Sequence, residues 1–120
     1  MEAIKTVNLS RSYGKTTVLK DLNLTVKKGE VYGFIGKNGA GKTTTINLIL
    51  SLIESDTGDI FINNEEINFK DQSYKRKIGY VPDVPVFPSY MTSKDYLIYT
   101  LDIFDVKDSE SNKKIQEILD

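Results

Sequence analysis

Apolar and polar positions alternate roughly over residues 4–9 and again over residues 22–26 (LNLTV), the period of half-buried strands. Tyr13-Gly14 between them predicts a turn, so the chain opens as antiparallel sheet. The pattern then changes. After the turn residues Lys28-Gly29-Glu30, the run VYGFI at residues 31–35 is almost continuously apolar, as expected of a parallel strand covered on both faces. Beyond a glycine-rich stretch, Ile46, Ile49, Leu50 and Ile53 recur at i, i+3, i+4 and i+7. That spacing predicts a helix starting near Lys42 with one apolar stripe turned toward the sheet.

ESDTGD ends this helix, and short strands are expected over residues 60–62 and 78–81, separated by polar turn residues. All three prolines lie in PDVPVFPS, residues 82–89, which predicts an ordered surface loop leaving a sheet edge. Thr92 with Asp95 three positions on forms a capping pair ahead of a helix whose stripe is Leu97, Leu101 and Phe104. A last helix, with Ile115, Ile118 and Leu119 on one face, starts near Ser111 and continues to Asp120. No internal repeat interrupts this order.

Composition narrows the chemistry. The 120 residues suffice for about one domain. Sixteen basic against seventeen acidic residues leave a net charge of -1, which offers no broad attraction to nucleic acid or anionic membrane, so an anion must be bound locally. The absence of cysteine removes disulfides and thiolate metal sites and fits a reducing compartment. The absence of histidine removes the usual neutral-pH base, leaving carboxylates, lysine or a bound hard cation for any catalysis. The start, MEAIKTVNLS, lacks the charged-then-apolar pattern of a secretory signal, and the apolar run at 46–53 is broken by Asn47 and Ser51 and too short to span a bilayer. A cytoplasmic location is the expectation.

The stretch GKNGAGKTTT at residues 36–45 carries the most specific signal. Gly36, Gly41, Lys42 and Thr43 satisfy G-x-x-x-x-G-K-[ST]. Glycines let successive N–H groups converge on phosphate oxygens where a Cβ would obstruct. The helix that follows adds its unpaired donors and positive end. Lys42 is expected at the β- and γ-phosphates, and the Thr43 hydroxyl on a magnesium ion that grips the same phosphates. A plain glycine turn feeding a helix is the alternative, and the apolar run before and the helix after argue against it.

Over essentially its whole length the sequence resembles the nucleotide-binding domain of ABC transporters. The resemblance is carried by NLSRSYGKTTVLKDLNLTVKKGEVYGFIGKNGAGKTTTINLI, by ESDTGDIFINNEEI and by KRKIGYVPD. It implies an α/β fold, a P-loop NTPase of the ABC-ATPase type that is incomplete here: an antiparallel β subdomain with a Walker A strand-loop-helix over residues 1–81, then the Q-loop and the start of the helical subdomain over 82–120. It makes Tyr13 the aromatic that stacks on adenine, an interaction worth about 1–3 kcal/mol per base. It assigns the ATP cradle to Gly36, Asn38, Gly39, Ala40, Gly41, Lys42, Thr43 and Thr44. Where the family usually carries glutamine this chain has Asp83. A carboxylate there would join Thr43 on magnesium or hold the attacking water, and would act with Lys42 in catalysis, at the cost of a negative charge near the γ-phosphate.

Elements that the family carries after the Q-loop are not found: no L-S-G-G-Q signature, no apolar run ending in Asp-Glu, no switch histidine. The expectation is the N-terminal half of such a domain, which would bind ATP and Mg²⁺ with negligible hydrolysis, and would leave the 31–35 run without neighbours and the chain weakly cooperative or self-associating. The complete protein would be the ATP-hydrolysing subunit of an exporter. It would pair with a second ATP-binding domain and lie on the inner face of the cell membrane through a membrane-spanning permease, with no nucleic-acid partner. A soluble ABC protein acting on ribosomes or DNA is an alternative reading. An unrelated P-loop kinase or GTPase is another, although Asn112-Lys113-Lys114-Ile115 lacks the aspartate of a guanine reader.

Overall fold

The computed structural model describes residues 1–104, 106 and 108–119, with residues 108 and 109 described by their backbone. The chain divides into two compact units, Met1–Gly79 and Tyr80–Asp120. Asp120, where the last predicted helix was expected to end, lies outside the described residues.

The first unit is built on a four-stranded antiparallel sheet in the order β2-β1-β3-β4. Strand β1 (Glu2–Tyr13) and strand β2 (Thr16–Lys27) form a long hairpin closed by Tyr13 opposite Thr16, with Gly14 at φ 59 in the turn. Both run well beyond the alternating segments in sequence. Irregularities extend them. Asn8 and Asp21 adopt positive φ where the register shifts, and side chains replace the interrupted ladder there. Thr6 Oγ1 donates to the Leu22 carbonyl at 2.9 Å and accepts from the Leu24 N–H at 3.0 Å, while the Asn8 N–H donates to Asn23 Oδ1. Strand β3 (Thr57–Ile62) pairs with the other edge of β1, and the short β4 (Glu65–Glu66) completes the sheet.

Helix α1 (Lys42–Ile49) lies over this sheet. The core consists of Leu9, Leu19, Leu48, Ile60, Ile62 and Tyr74, with Ile4, Leu22, Ile49, Ile53, Ile67 and Ile78 packed against it. Full burial of leucines such as Leu9 and Leu48 contributes roughly 1.5–3 kcal/mol each. The buried face of α1 is Thr45 and Leu48, while Ile46 is 39% exposed. This corrects the predicted stripe in part: Ile49 and Ile53 reach the core, and Ile46 does not. The helix stops at Ile49 because Ser51 turns left-handed at φ 46: its N–H bonds to the Leu48 carbonyl and the Leu52 N–H to that of Asn47, a Schellman ending that throws Leu50 and Ile53 off the helix axis.

Two predicted strands are not strands. Residues 31–35 and 78–81 carry no ladder, and Val31 and Ile35 are 99% and 96% exposed. A strand exists only through hydrogen bonds to a neighbour, and among the described residues none pairs with either run. The Walker A segment is therefore an irregular stretch, loop and helix. Conversely, Ser73–Lys77 forms a 3₁₀ turn within the segment expected to hold only polar turn residues.

In the second unit, α2 (Ser93–Ile103) begins with the predicted capping box: Thr92 Oγ1 accepts from the Asp95 N–H, and the Thr92 N–H donates to the Asp95 carboxylate. Its inner side is Tyr96, Leu97, Thr100 and Leu101; Phe104 is the C-cap and 52% exposed, so it leaves the predicted stripe. Helix α3 (Asp108–Leu119) starts earlier than predicted and buries Ser111 and Ile115, whereas Ile118 and Leu119 stay largely exposed. Those two instead border a cleft of about 380 Å³ with Phe87, Pro88, Met91 and Tyr96. Phe87 meets Tyr96 edge to face at 5.1 Å.

Candidate nucleotide-binding site

The glycine stretch folds as a tight loop feeding α1. The Ala40 N–H bonds to the Lys37 carbonyl at 3.1 Å with Gly39 at φ 82, the positive value that the third position of a type II turn demands. Gly41 is the N-cap at φ 85, and a Cβ there would stand 3.0 Å from the Val18 carbonyl oxygen of β2. Backbone angle and close approach both require glycine at this position. A Cβ on Gly36 would press on that of Ala40 at 3.2 Å. The loop is as narrow as its sequence suggests.

Lys42 folds back across this loop. Its ammonium donates to the carbonyls of Gly36 at 2.6 Å and Lys37 at 2.8 Å. The first intrahelical bond runs from the Thr45 N–H to the Gly41 carbonyl, and no side chain caps the helix. The N–H groups of the first turn thus keep their capacity for an anion, with the positive end of the helix dipole behind them. The three threonines differ in use. Thr45 is buried and returns its hydroxyl to the Gly41 carbonyl at 2.8 Å, Thr43 is exposed, and Thr44 is half-buried. Asn38 is exposed on the turn.

Tyr13 closes the hairpin at 47% exposure. Its cross-strand partner Thr16 lies two residues from Val18, the residue on which Gly41 rests, a step of about 7 Å along the strand. The hairpin tip and the glycine loop are thereby joined through β2. Sequence reading did not single out the charged pair beside Tyr13. The Arg11 guanidinium carbon lies 5.2 Å from the Tyr13 ring centroid, and Arg11 Nη1 donates to Asp56 at 2.9 Å. Its only sequence signal is the spacing: residues two apart on a strand leave the same face.

Asp83 belongs to the second unit, in a stretch without regular structure, and is exposed. Among the described residues no three acidic, histidine or cysteine side chains assemble as a metal site. A magnesium ion at the cradle would draw its oxygens from a bound phosphate and the exposed Thr43 hydroxyl, a donor set that suits this hard cation. The narrow loop, the uncapped helix and Lys42 fit a phosphorylated ligand.

The family model for the ABC transporter matches residues 19–120. The chain is 36% identical over 116 residues to the bacitracin transport ATP-binding protein BcrA of Bacillus licheniformis, covering 97% of this chain and 38% of that protein. It is 34% identical over 114 residues to the linearmycin resistance ATP-binding protein LnrL of Bacillus subtilis, covering 94% of this chain and 36% of the relative. The chain thus spans well under half the length of these relatives. A solved structure described as the ATP binding subunit of an ABC transporter superposes with a TM-score of 0.78 at 32% identity, over 90% of this chain and 45% of that one. A family match reaching from β2 to the last helix, with relatives at this level of identity over nearly the whole chain, places this chain in the ABC transporter family.

Proposed function

We propose that this chain supplies the nucleotide-grasping part of an ATP-hydrolysing subunit that energises a membrane transporter working as an exporter. The observation that carries the reading is the uncapped start of α1 behind a glycine loop spanned by Lys42. ATP phosphates would take over the ammonium bonds now made to the Gly36 and Lys37 carbonyls, and the N–H groups of Gly39 and of Gly41 to Thr44 would face their oxygens. Asn38 and Ala40 would wall the loop, and Tyr13 would stack on the base. Thr43 and Asp83 would offer oxygens to magnesium, which when bound would supply charge neutralisation to the phosphates. Lys42 would hold the transferring phosphate, and Asp83 would orient water or sense the metal.

The names of the two bacillar relatives, one of bacitracin transport and one of linearmycin resistance, support the exporter reading. A permease and a second ATP-binding domain are the proposed partners, with the subunit held at the inner face of the membrane by the permease. No helix among the described residues is long and apolar enough to cross a membrane. Binding of a fluorescent ATP analogue, with and without Mg²⁺, tests the reading. Saturable binding weakened by Lys42→Ala and by Tyr13→Ala is expected; a folded chain that binds equally well without Lys42 would overturn it.

A further inference from the structure

Tyr13 is held in place by a clamp that neither the glycine motif nor the family likeness assigns. Arg11 precedes it by two residues on β1, and its guanidinium lies against one face of the Tyr13 ring at 5.2 Å. Asp56, just ahead of β3, holds that guanidinium. One carboxylate oxygen accepts from Arg11 Nη1 at 2.9 Å, the other from the Ser12 backbone N–H at 2.7 Å, and the Asp56 N–H returns a bond to the Ser10 carbonyl at 3.0 Å. Asp56 therefore grips β1 on both sides of Arg11, Ser10 through its backbone N–H and Ser12 through its carboxylate. Arg11 Nε is buried with no hydrogen-bond partner among the described residues. Leaving a buried donor unmade is costly, so the side chain is held at this position by its other contacts.

We infer that Arg11, locked by Asp56, is a positioning residue for the nucleotide base: it occupies one face of Tyr13 and presents the opposite face, ready oriented, to adenine. This rests on the reading of Tyr13 as the base platform. A cation over one ring face draws electron density from the ring, so the open face favours an electron-rich purine. An aromatic side chain at a hairpin tip otherwise samples several rotamers, and stacking a base would have to freeze one. The Asp56–Arg11–Tyr13 chain removes that freedom before the nucleotide arrives.

The test compares ATP with inorganic tripolyphosphate, which fills the cradle without a base, on the full chain carrying Arg11→Ala, Arg11→Lys, Tyr13→Ala or Arg11→Ala with Tyr13→Ala. Arg11→Ala is expected to weaken ATP about two- to fivefold, the scale of an exposed cation–π contact, and to leave tripolyphosphate unchanged. Arg11→Lys should lie between, because it keeps the charge and loses the planar stack. In the Tyr13→Ala background the Arg11 change should add nothing, since partners in one interaction are non-additive. Equal weakening of both ligands, or additive effects of the two substitutions, would make Arg11 a purely structural residue and overturn the inference. If Tyr13→Ala weakens ATP and Arg11→Ala does not, the inference falls while the platform stands. If Tyr13→Ala itself leaves ATP binding intact, the platform reading falls first and this inference with it.

Discussion

The hydroxyl of Tyr74 sits 2.6 Å from Ser51 Oγ and 3.1 Å from the Ile49 carbonyl, so one buried ring closes the C-terminal end of the helix whose first turn follows the glycine loop. One phenolic proton cannot serve both bonds. Both are satisfied when Tyr74 donates to the carbonyl and the Ser51 hydroxyl donates to Tyr74. Tyr74→Phe keeps the ring and removes only the oxygen, stranding a carbonyl and a hydroxyl in the core. A loss of about 1–2 kcal/mol is expected, read as a lower thermal midpoint; an unchanged midpoint would show that water reaches the pair.

Gly58 at the start of β3 is at φ 89, and a Cβ there would collide with the Asn8 carbonyl group and Leu9 Cα. Those atoms are backbone of β1 at its bulge and cannot swing aside. Gly58→Ala should cost several kcal/mol, on the order of 3 or more, because strained φ and a steric clash add. Gly14→Ala offers the control: its φ is also positive, but the added Cβ meets nothing within 4 Å. It should cost about 1–2 kcal/mol, the strain of a left-handed residue alone. Denaturation midpoints of the two variants, compared side by side, check the difference.

Two exposed carboxylates contribute local stabilisation that acid removes. Hydrogen bonds from the Thr92 side chain and backbone hold Asp95 below the ordinary carboxylate range, and bonds from Ser73 do the same for Asp71. A depressed folded-state value means that the unfolded chain binds more protons over that window. The stabilisation is therefore present above the ordinary aspartate value of about 3.9 and disappears as pH falls through the lower folded values. Helicity of the second unit should be flat from neutral pH to about 5 and decline below 4. Asp95→Asn should reduce that acid-dependent loss, and an unaltered acid profile in the variant would assign it to other groups.

Asp83 stands where relatives of this type are expected to carry an amide, and it is exposed. If it joins the magnesium shell, Asp83→Ala in the complete subunit should weaken Mg²⁺ binding in the presence of ATP about tenfold, the scale for loss of a metal-supporting group. Titration of Mg²⁺ at saturating ATP measures it. An unchanged midpoint would leave Asp83 as a loop residue.

The two runs without ladders, 31–35 and 78–81, expose Val31, Ile35 and Val81 at 99%, 96% and 85%. Unpaired backbone beside apolar side chains recruits strands from other molecules. Sedimentation of the 120-residue chain should show concentration-dependent self-association and its melting should be broad. A sharp monomeric transition would mean that these runs find partners within one chain.

The glycine loop, Lys42 and the start of α1 were legible in the sequence because each depends on local chemistry: left-handed turns, close backbone approach, and a helix beginning where the glycines end. The Thr92–Asp95 cap was legible for the same reason, since its partners lie three residues apart. What tertiary structure alone decided was long-range. Whether residues 31–35 become a strand depends on a neighbour, and apolar character cannot supply one. The face that α1 buries was set by Ser51 ending the helix and by the sheet beneath Thr45 and Leu48, which periodicity placed one step away. Arg11 joins Asp56 across 45 residues of chain, and no local pattern in Arg11-Ser12-Tyr13 announces a partner at that distance. Short-range steric and hydrogen-bonding rules act within a few residues and leave their mark on the sequence, whereas pairing across a sheet is a property of the assembled fold.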